Sequence, residues 1–199
     1  NKFIDVSERE NYLFNSKING IEEADLILLI GTNPRYEATI LNARIRKAYL
    51  NNKTKIISLN ELGDLTYPYE KLDGKTKSIK EIFEGNHKLS ENILNSKKPM
   101  IILGESFLNL NSAKFLFNLI KEYLNKNNKF INDWNPLNIL SNDSATVGSL
   151  DLGLINEKVD LIKNLKENLF ELVFLLGQDE LNFDKKNEFI VYVGSHGDK

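Results

Sequence analysis

The chain contains no cysteine and only two histidines, His87 and His196. The absence of cysteine excludes disulfides, thiolate nucleophiles, zinc–thiolate sites and cysteine-ligated iron–sulfur clusters. Two histidines are too few for a metal site that is built from several imidazoles. The sequence therefore predicts that this chain binds no metal of its own.

Long apolar runs and an excess of positive charge are also missing. No apolar run approaches the roughly 20 residues that are needed to cross a bilayer, so we expect no membrane span. The 199 residues carry 26 Lys and Arg against 28 Asp and Glu, which gives a net charge of −2. Because phosphate binding needs a clearly basic surface, nucleic acid is not an expected partner.

The chain does have a central stretch, residues 25–47, that predicts a strand, a tight turn and a helix. Leu26 to Ile30 is a short unbroken apolar run, which is typical of a strand covered on both faces in a parallel sheet. Gly31 suits a close backbone turn, Asn33 is a good helix N-cap and Pro34 suits the first helical position. Open α/β folds usually bind ligands at such a turn.

Further strands and helices are predicted along the chain. The predicted strands cover 26–30, 55–59, 100–103, 172–176 and 189–193, and the predicted helices cover 34–50, 79–83, 88–96, 112–125 and 157–168. Four of the five strands are followed by glycine, as expected where strands turn at one edge of a parallel sheet. We predict a doubly wound α/β fold with a mostly parallel sheet and helices on both faces. We interpret residues 1–199 as a single domain, with 60–98 as a candidate excursion.

The turn formed by Gly31, Thr32, Asn33 and Pro34 has two interpretations. It could cradle a phosphate or a nucleotide-like cofactor, or it could be purely structural. It lacks the second and third glycines of G-x-G-x-x-G and the lysine of a P-loop. Pro34 also removes an N–H group that would help to bind an anion. The local residues leave both alternatives open and favour the structural one.

A basic cluster follows the turn and comprises Arg35, Arg44, Arg46 and Lys47. For the last three we favour a solvated helix face with ion pairs to Glu22 or Glu37. Arg35, at the mouth of the sheet, is predicted to pair with an anion or with a carboxylate of a partner.

No catalytic set is predicted in this chain. Ser195, His196 and Asp198 are too close together in the sequence to converge as a catalytic triad, so a strand-end turn is predicted there. His87 is expected in a loop or at a helix cap. No nucleophile and no acid–base pair stands out elsewhere.

The central stretch resembles a signature of the 75-kDa subunit family of respiratory complex I, the large iron–sulfur subunit of NADH:ubiquinone oxidoreductase. The resembling segments run in order over nearly the whole chain: N-Y-L-F at 11–14, G-I-E-E-A-D at 20–25, L-L-I-G-T-N-P-R-Y-E-A at 28–38, L-N-A-R-I-R-K at 41–47, and scattered matches such as D-L-T-Y at 64–67 and G-S-H-G-D at 194–198. A similar turn occurs in the wider molybdopterin oxidoreductase family.

The resemblance implies a molybdopterin-oxidoreductase-like fold from the C-terminal half of that subunit. In pterin-binding relatives this turn lies against the cofactor, whereas the complex I domain is regarded as having lost the cofactor. On this resemblance Gly31, Thr32, Asn33 and Arg35 are the candidates for a vestigial pterin turn. No cofactor is expected in this chain, and the iron–sulfur clusters and FMN are expected in partner chains.

The resemblance also implies a role and a location. The chain would be a fragment of a larger subunit and a non-catalytic structural part of the peripheral arm, supporting NADH-to-ubiquinone electron transfer. It would lie on the matrix side of the mitochondrial inner membrane, against other peripheral-arm subunits and especially the chain with the N-terminal cysteine-rich iron–sulfur region. Asparagine occurs 27 times, and this bias is typical of an AT-rich genome, so an organelle-encoded split gene is a hypothesis.

Two alternatives to this role follow from the sequence. The first is a fragment of a pterin-binding molybdopterin-type oxidoreductase. The lack of cysteine and of a catalytic pair argues against it. The second is a free-standing nucleotide-binding module, which the missing glycines of the turn disfavour.

Overall fold

The computed structural model describes residues 3–154, 161–167, 169–178 and 188–195. These residues divide into two compact units, Asn1–Leu152 and Gly153–Lys199, which are described separately. The assignment of both units to one domain, with an excursion at 60–98, stays a prediction.

The first unit is built around a parallel sheet. Its strands are β1 (Leu26–Ile30), β2 (Lys55–Ser58), β3 (Glu70–Lys71), β4 (Pro99–Leu103) and β5 (Leu137–Ile139). Their order across the sheet is β3-β2-β1-β4-β5, and every neighbouring pair is parallel. The helices are α1 (Pro34–Glu37), α2 (Thr39–Asn52), α3 (Thr76–Phe83), α4 (Lys88–Asn95), α5 (Glu105–Leu108), α6 (Ala113–Lys126) and α7 (Thr146–Asp151). The second unit contains α8 (Leu161–Lys166) and a parallel pair of strands, β6 (Leu172–Leu176) and β7 (Phe189–Val193).

Strand β1 is the centre of the first unit, and all five of its residues are buried. Its side chains alternate between the two faces of the sheet. Leu26, Leu28 and Ile30 belong to a buried cluster that also contains side chains of α3, α4 and α6. Ile27 and Leu29 belong to a second buried cluster, which contains side chains of α2. The prediction of a doubly wound, mostly parallel α/β fold is confirmed.

Two strands of the first sheet lie where the sequence predicts none. β3 and β5 both fall between the predicted strands and helices. These strands have two and three residues, which is too short for a hydrophobic period to appear. The prediction that β6 and β7 share one sheet with the other strands is wrong, since these two pair with each other in a separate sheet. The sequence cannot distinguish the two sheets, because a strand of either one is an apolar run followed by glycine.

The helices also differ from the prediction. Ala38, with φ of −153° and ψ of 73°, divides the helix predicted over 34–50 into α1 and α2. α3 begins at Thr76, three residues before the predicted start of that helix. Of the helix predicted over 157–168, residues 157–160 and 168 lie outside the described residues, and α8 covers Leu161–Lys166. Within the described ranges, no helix combines the length and the hydrophobicity that a membrane crossing requires.

Asp25 ties the start of β1 to the turn that leads into β4. Its carboxylate accepts hydrogen bonds from Ser96 Oγ, from Lys97 N at 2.7 Å and from Lys98 N at 3.1 Å. Burial opposes ionisation and would raise the pKa of Asp25, but these hydrogen bonds outweigh it and hold the pKa below its ordinary value. The ionised carboxylate therefore stabilises the junction between the two central strands.

Replacing this carboxylate should destabilise the protein in a pH-dependent way. Because the pKa of Asp25 is lower in the folded chain, its contribution is present above the unfolded pKa and is lost as the pH falls through the folded value. We expect Asp25→Asn to reduce the free energy of unfolding by about 1 kcal/mol at neutral pH. Urea unfolding should show a smaller difference from the wild type near pH ~3.

The control for this prediction is Asp143→Asn, since Asp143 is exposed. We expect this variant to unfold like the wild type at both pH values. An Asp25→Asn effect that is the same at neutral and acidic pH would contradict the role of the ionised carboxylate.

Candidate functional site

The predicted cofactor turn lies against a second strand-end turn. β1 and β4 are neighbours, and Gly104 N donates to Ile30 O at 2.9 Å where the two strands end. Gly31 has a φ of +66°, and a Cβ there would lie 2.3 Å from Phe107 N. A Cβ on Gly104 would lie 2.4 Å from Thr32 Cβ. Glycine is therefore required on both sides because the two backbones touch.

Glu37 supplies the negative charge at this turn. Its Oε2 accepts a hydrogen bond from Thr32 Oγ1 at 2.6 Å, and its Oε1 accepts one from Asn33 N at 3.0 Å. The side chain of Asn33 accepts a hydrogen bond from Arg35 N at 3.2 Å, as predicted for the N-cap of this helix. The N–H groups of Asn33 and Arg35 thus have acceptors within the chain and are not left free for an anion.

Arg35 forms an ion pair with Asp64 of the same chain. The guanidinium lies 2.8 Å from the Asp64 carboxylate and also donates to the Asp64 carbonyl oxygen. The hydrogen bond from Arg35 holds the pKa of Asp64 below its ordinary value. The carboxylate that the sequence assigns to a ligand or a partner is therefore supplied, in this structure, by the chain itself.

Residues 62–67, here called the fastened segment, are held along α1 and α2. Besides Arg35, three side chains donate to its backbone carbonyls: Asn33 Nδ2 to Leu62 O at 3.1 Å, Asn42 Nδ2 to Leu65 O at 3.1 Å, and Arg46 Nε to Thr66 O at 3.3 Å. The amide of buried Asn42 also accepts from Tyr67 Oη at 2.7 Å. Burial raises the pKa of Tyr67, so its hydroxyl stays protonated and remains a donor.

These contacts join three of the segments that carry the sequence resemblance. Residues 28–38 and 41–47 contact D-L-T-Y at 64–67, and these contacts use Asn42 and Asp64, whose side chains the sequence patterns did not single out. The motifs at 28–38, 41–47 and 64–67 are the only sequence signal for this contact, because segments of one family signature often lie together in the fold. The sequence does not indicate which residue of 28–47 contacts which residue of 64–67.

The rest of the basic cluster is partly occupied by ion pairs. Lys47 Nζ lies 2.7 Å from a Glu22 carboxylate oxygen, and Arg44 binds the other oxygen of the same group. The hydrogen bond from Lys47 is the main reason why the pKa of Glu22 lies below its ordinary value. The predicted ion pairs of Arg44 and Lys47 with Glu22 are confirmed.

A cavity of about 140 Å³ adjoins the turn. Its lining includes Ile30, Leu59, Ile79 and Phe107, and no charged side chain among the described residues contributes to it. Typical ligand pockets have volumes of about 300–1,000 Å³ and a few convergent polar groups. This cavity is smaller and offers no cation for a phosphate.

The histidines do not add a site within the described residues. His87 is the N-cap of α4 and accepts a hydrogen bond from Leu89 N through Nδ1 at 3.1 Å, as expected of a cap residue. His196 and Asp198, from the predicted turn after Ser195, lie outside the described residues. Among the residues that the structure describes, no group of three or more His, Asp or Glu side chains could hold a metal ion.

Comparisons with known proteins give a consistent family. The chain matches the family described as Molybdopterin oxidoreductase over residues 2–199. It is 40% identical over 194 residues to the NADH-ubiquinone oxidoreductase 75 kDa subunit of Reclinomonas americana, covering 96% of this chain and 28% of that protein. It is 39% identical over 196 residues to an NADH-quinone oxidoreductase subunit of Rickettsia bellii, covering 98% of this chain and 28% of that protein.

A plant relative extends this pattern. The chain is 37% identical over 193 residues to the mitochondrial NADH dehydrogenase [ubiquinone] iron-sulfur protein 1 of Solanum tuberosum, covering 96% of this chain and 26% of that protein. The chain thus spans about a quarter of the length of the curated relatives it matches. These similarities confirm the resemblance to the 75-kDa subunit that the motifs indicate.

Substitution of Gly31 should separate the cost of backbone strain from the cost of the close contact. Gly85 also has a positive φ, of +85°, but an added Cβ there meets open space. We expect Gly85→Ala to cost about 1 kcal/mol of unfolding free energy from the backbone alone. Gly31→Ala should cost at least about 2 kcal/mol more, because Phe107 must move. Urea unfolding of both variants measures the difference, and equal losses would contradict the contact.

Removal of the Glu37 carboxylate should destabilise the turn and make it sensitive to anions. We expect Glu37→Ala to lower the free energy of unfolding by about 1–2 kcal/mol, because Asn33 N loses its acceptor. Inorganic phosphate should then raise the melting temperature of the variant more than chloride does at equal ionic strength. Wild type and Glu122→Ala, on the exposed face of α6, should not respond selectively to phosphate. A phosphate response in the wild type would contradict this account.

Proposed function

Since this chain belongs to the molybdopterin oxidoreductase family, we propose that it is a non-catalytic structural part of the peripheral arm of respiratory complex I. It would support NADH-to-ubiquinone electron transfer, which iron–sulfur clusters and FMN in partner chains would carry out. Its partners would be other peripheral-arm subunits on the matrix side of the mitochondrial inner membrane, especially the chain with the cysteine-rich iron–sulfur region. The complex I names of its relatives support this assembly.

The observation that carries the non-catalytic part of this proposal is the internal neutralisation of the turn. The Glu37 carboxylate binds Thr32 Oγ1 and Asn33 N, where a pterin phosphate would need free donors. A phosphate approaching these atoms would meet a like charge. The described residues of the turn therefore do not fit a molybdopterin.

Arg35 and the adjoining cavity are the two other features near the turn that could bind a phosphate, and neither is well suited to it. Arg35 is engaged by the Asp64 carboxylate, so its charge is already compensated. The adjoining cavity of about 140 Å³ has no charged lining among the described residues. A pterin would have to displace the Asp64 carboxylate and widen a largely apolar space, and both changes oppose binding.

In this proposal the four turn residues, Gly31, Thr32, Asn33 and Arg35, are retained for their shape. Gly31 allows the turn after β4 to approach, as the distance of 2.3 Å from a hypothetical Cβ to Phe107 N requires. Thr32 Oγ1 and Asn33 N donate hydrogen bonds to Glu37, and Arg35 forms an ion pair with Asp64. The turn would thus be a vestigial pterin turn that now connects the sheet, α1 and the fastened segment.

The alternative function is that of a fragment of a pterin-binding oxidoreductase, and it is favoured by the family match alone. Analysis of the native assembly separates the two functions. This chain should be purified with its partners, identified by mass spectrometry, and assayed for NADH:quinone activity, molybdenum, tungsten and oxidised pterin fluorescence.

We expect the chain to co-purify with NADH:quinone activity and FMN, with no stoichiometric molybdenum, tungsten or pterin. One molybdenum or tungsten atom per chain would overturn the non-catalytic role and support the alternative. Recovery of the chain in a small particle without NADH dehydrogenase subunits would overturn its assignment to complex I.

A further inference from the structure

Helix α2 has apolar side chains on its outward face as well as on its inward face. Leu41, Ile45 and Ala48 are buried against the sheet. On the opposite side Ile40 is 72% exposed and Leu50 is 51% exposed. A surface helix normally presents charged and polar residues to water, and a helix that is apolar all round is normally buried. The outward face of α2 is therefore more apolar than a solvent-exposed face normally is, although Arg46 and Lys47 also lie on it.

The outward residues are regularly spaced, and together we call them the outer stripe. They are Tyr36 in α1 and Ile40, Ala43, Lys47 and Leu50 in α2, and the four members in α2 are three, four and three residues apart. This spacing is that of the a and d positions at which two helices interlock. Tyr36, which lies in α1 just before the break, is 80% exposed. The small Ala43 in the middle would let a second helix approach closely.

Positive charge flanks the outer stripe. In the same spacing Arg44 and Arg46 occupy the e and g positions, whose charges set the choice of partner in helix pairs. Residues 34–53 carry five cationic side chains and one acidic side chain, Glu37, although the whole chain has a net charge of −2. The Glu22 and Asp64 carboxylates pair with three of these cations but leave positive charge in excess. The local charge therefore favours an acidic partner.

We propose that the outer stripe binds an amphipathic α-helix of a partner protein, whose apolar stripe is flanked by Asp and Glu. This inference rests on the proposed function, since it identifies a surface through which the chain joins its assembly. A second copy of this chain is disfavoured, because two stripes with basic flanks would repel each other. The apolar stripe would supply the contact and the acidic flanks its specificity.

The absence of cysteine from this chain provides a direct test, because an introduced thiol is the only one in the chain and its labelling can be read from the separated chain by mass spectrometry. Ile40→Cys places a thiol in the outer stripe, and Lys114→Cys places one on the exposed side of α6 as the control. Maleimide labelling is measured in the purified native assembly and again after the assembly is dissociated. We expect labelling at position 40 to be at least tenfold slower in the assembly, and labelling at position 114 to be unchanged.

A second variant identifies the chemistry of the covering surface. A carbodiimide joins amines to neighbouring carboxylates, whereas the guanidinium of Arg46 does not react. In the native assembly, Arg46→Lys should give a new cross-link from position 46 to an Asp or Glu in a helical segment of another protein. Mass spectrometry identifies the linked peptide, and the wild-type assembly is the matched control.

Each outcome has a distinct consequence. Equal labelling at position 40 before and after dissociation would overturn this inference while leaving the proposed function intact. Protection without a cross-link to an Asp or Glu would also overturn it, since a lipid or nucleic acid surface offers neither side chain. A cross-link only to a second copy would overturn it as well. Protection and a carboxylate cross-link in an assembly without NADH dehydrogenase subunits would support the docking surface and overturn the proposed function.

Discussion

The fold of the first unit depends on the close approach of two backbone turns at the ends of its central strands. Gly31 follows β1, and Gly104 follows β4, and neither position has room for a Cβ. Since β1 and β4 are paired along their whole length, any widening between the turns would disturb the centre of the sheet. The positive φ of Gly31 then directs the chain into α1, whose Glu37 returns to bind Thr32 and Asn33.

This arrangement uses a ligand-binding position of the fold for internal contacts. Ligands of open α/β proteins usually bind beyond the carboxyl ends of the strands, where backbone N–H groups are free. Here Glu37 takes up the donors of Thr32 and Asn33, and Asp64 takes up the charge of Arg35. Family membership alone does not define a function. The contacts of the turn favour a structural role even though the family is named for a cofactor.

The sequence predicts the parts of this fold that depend on local patterns. β1 is a run of five apolar residues, and Asn33 and Pro34 form a cap from adjacent positions, so both could be predicted. β3 and β5 are defined by pairing with strands distant in the sequence and have no period of their own. The same limit applies to Arg35, because its need for a carboxylate is local whereas Asp64 is 29 residues away.

Helix α2 shows how a functional surface can weaken the pattern used to predict it. Its inward residues Leu41, Ile45 and Ala48 follow the helical period, but Ile40 and Leu50 on the outward side reduce the contrast between its two faces. In an isolated protein the exposed apolar side chains would be unfavourable, since their surface would remain in contact with water. It is the expected composition if the helix is covered in an assembly. The central stretch would then pack the sheet with one face of α2 and bind a partner with the other.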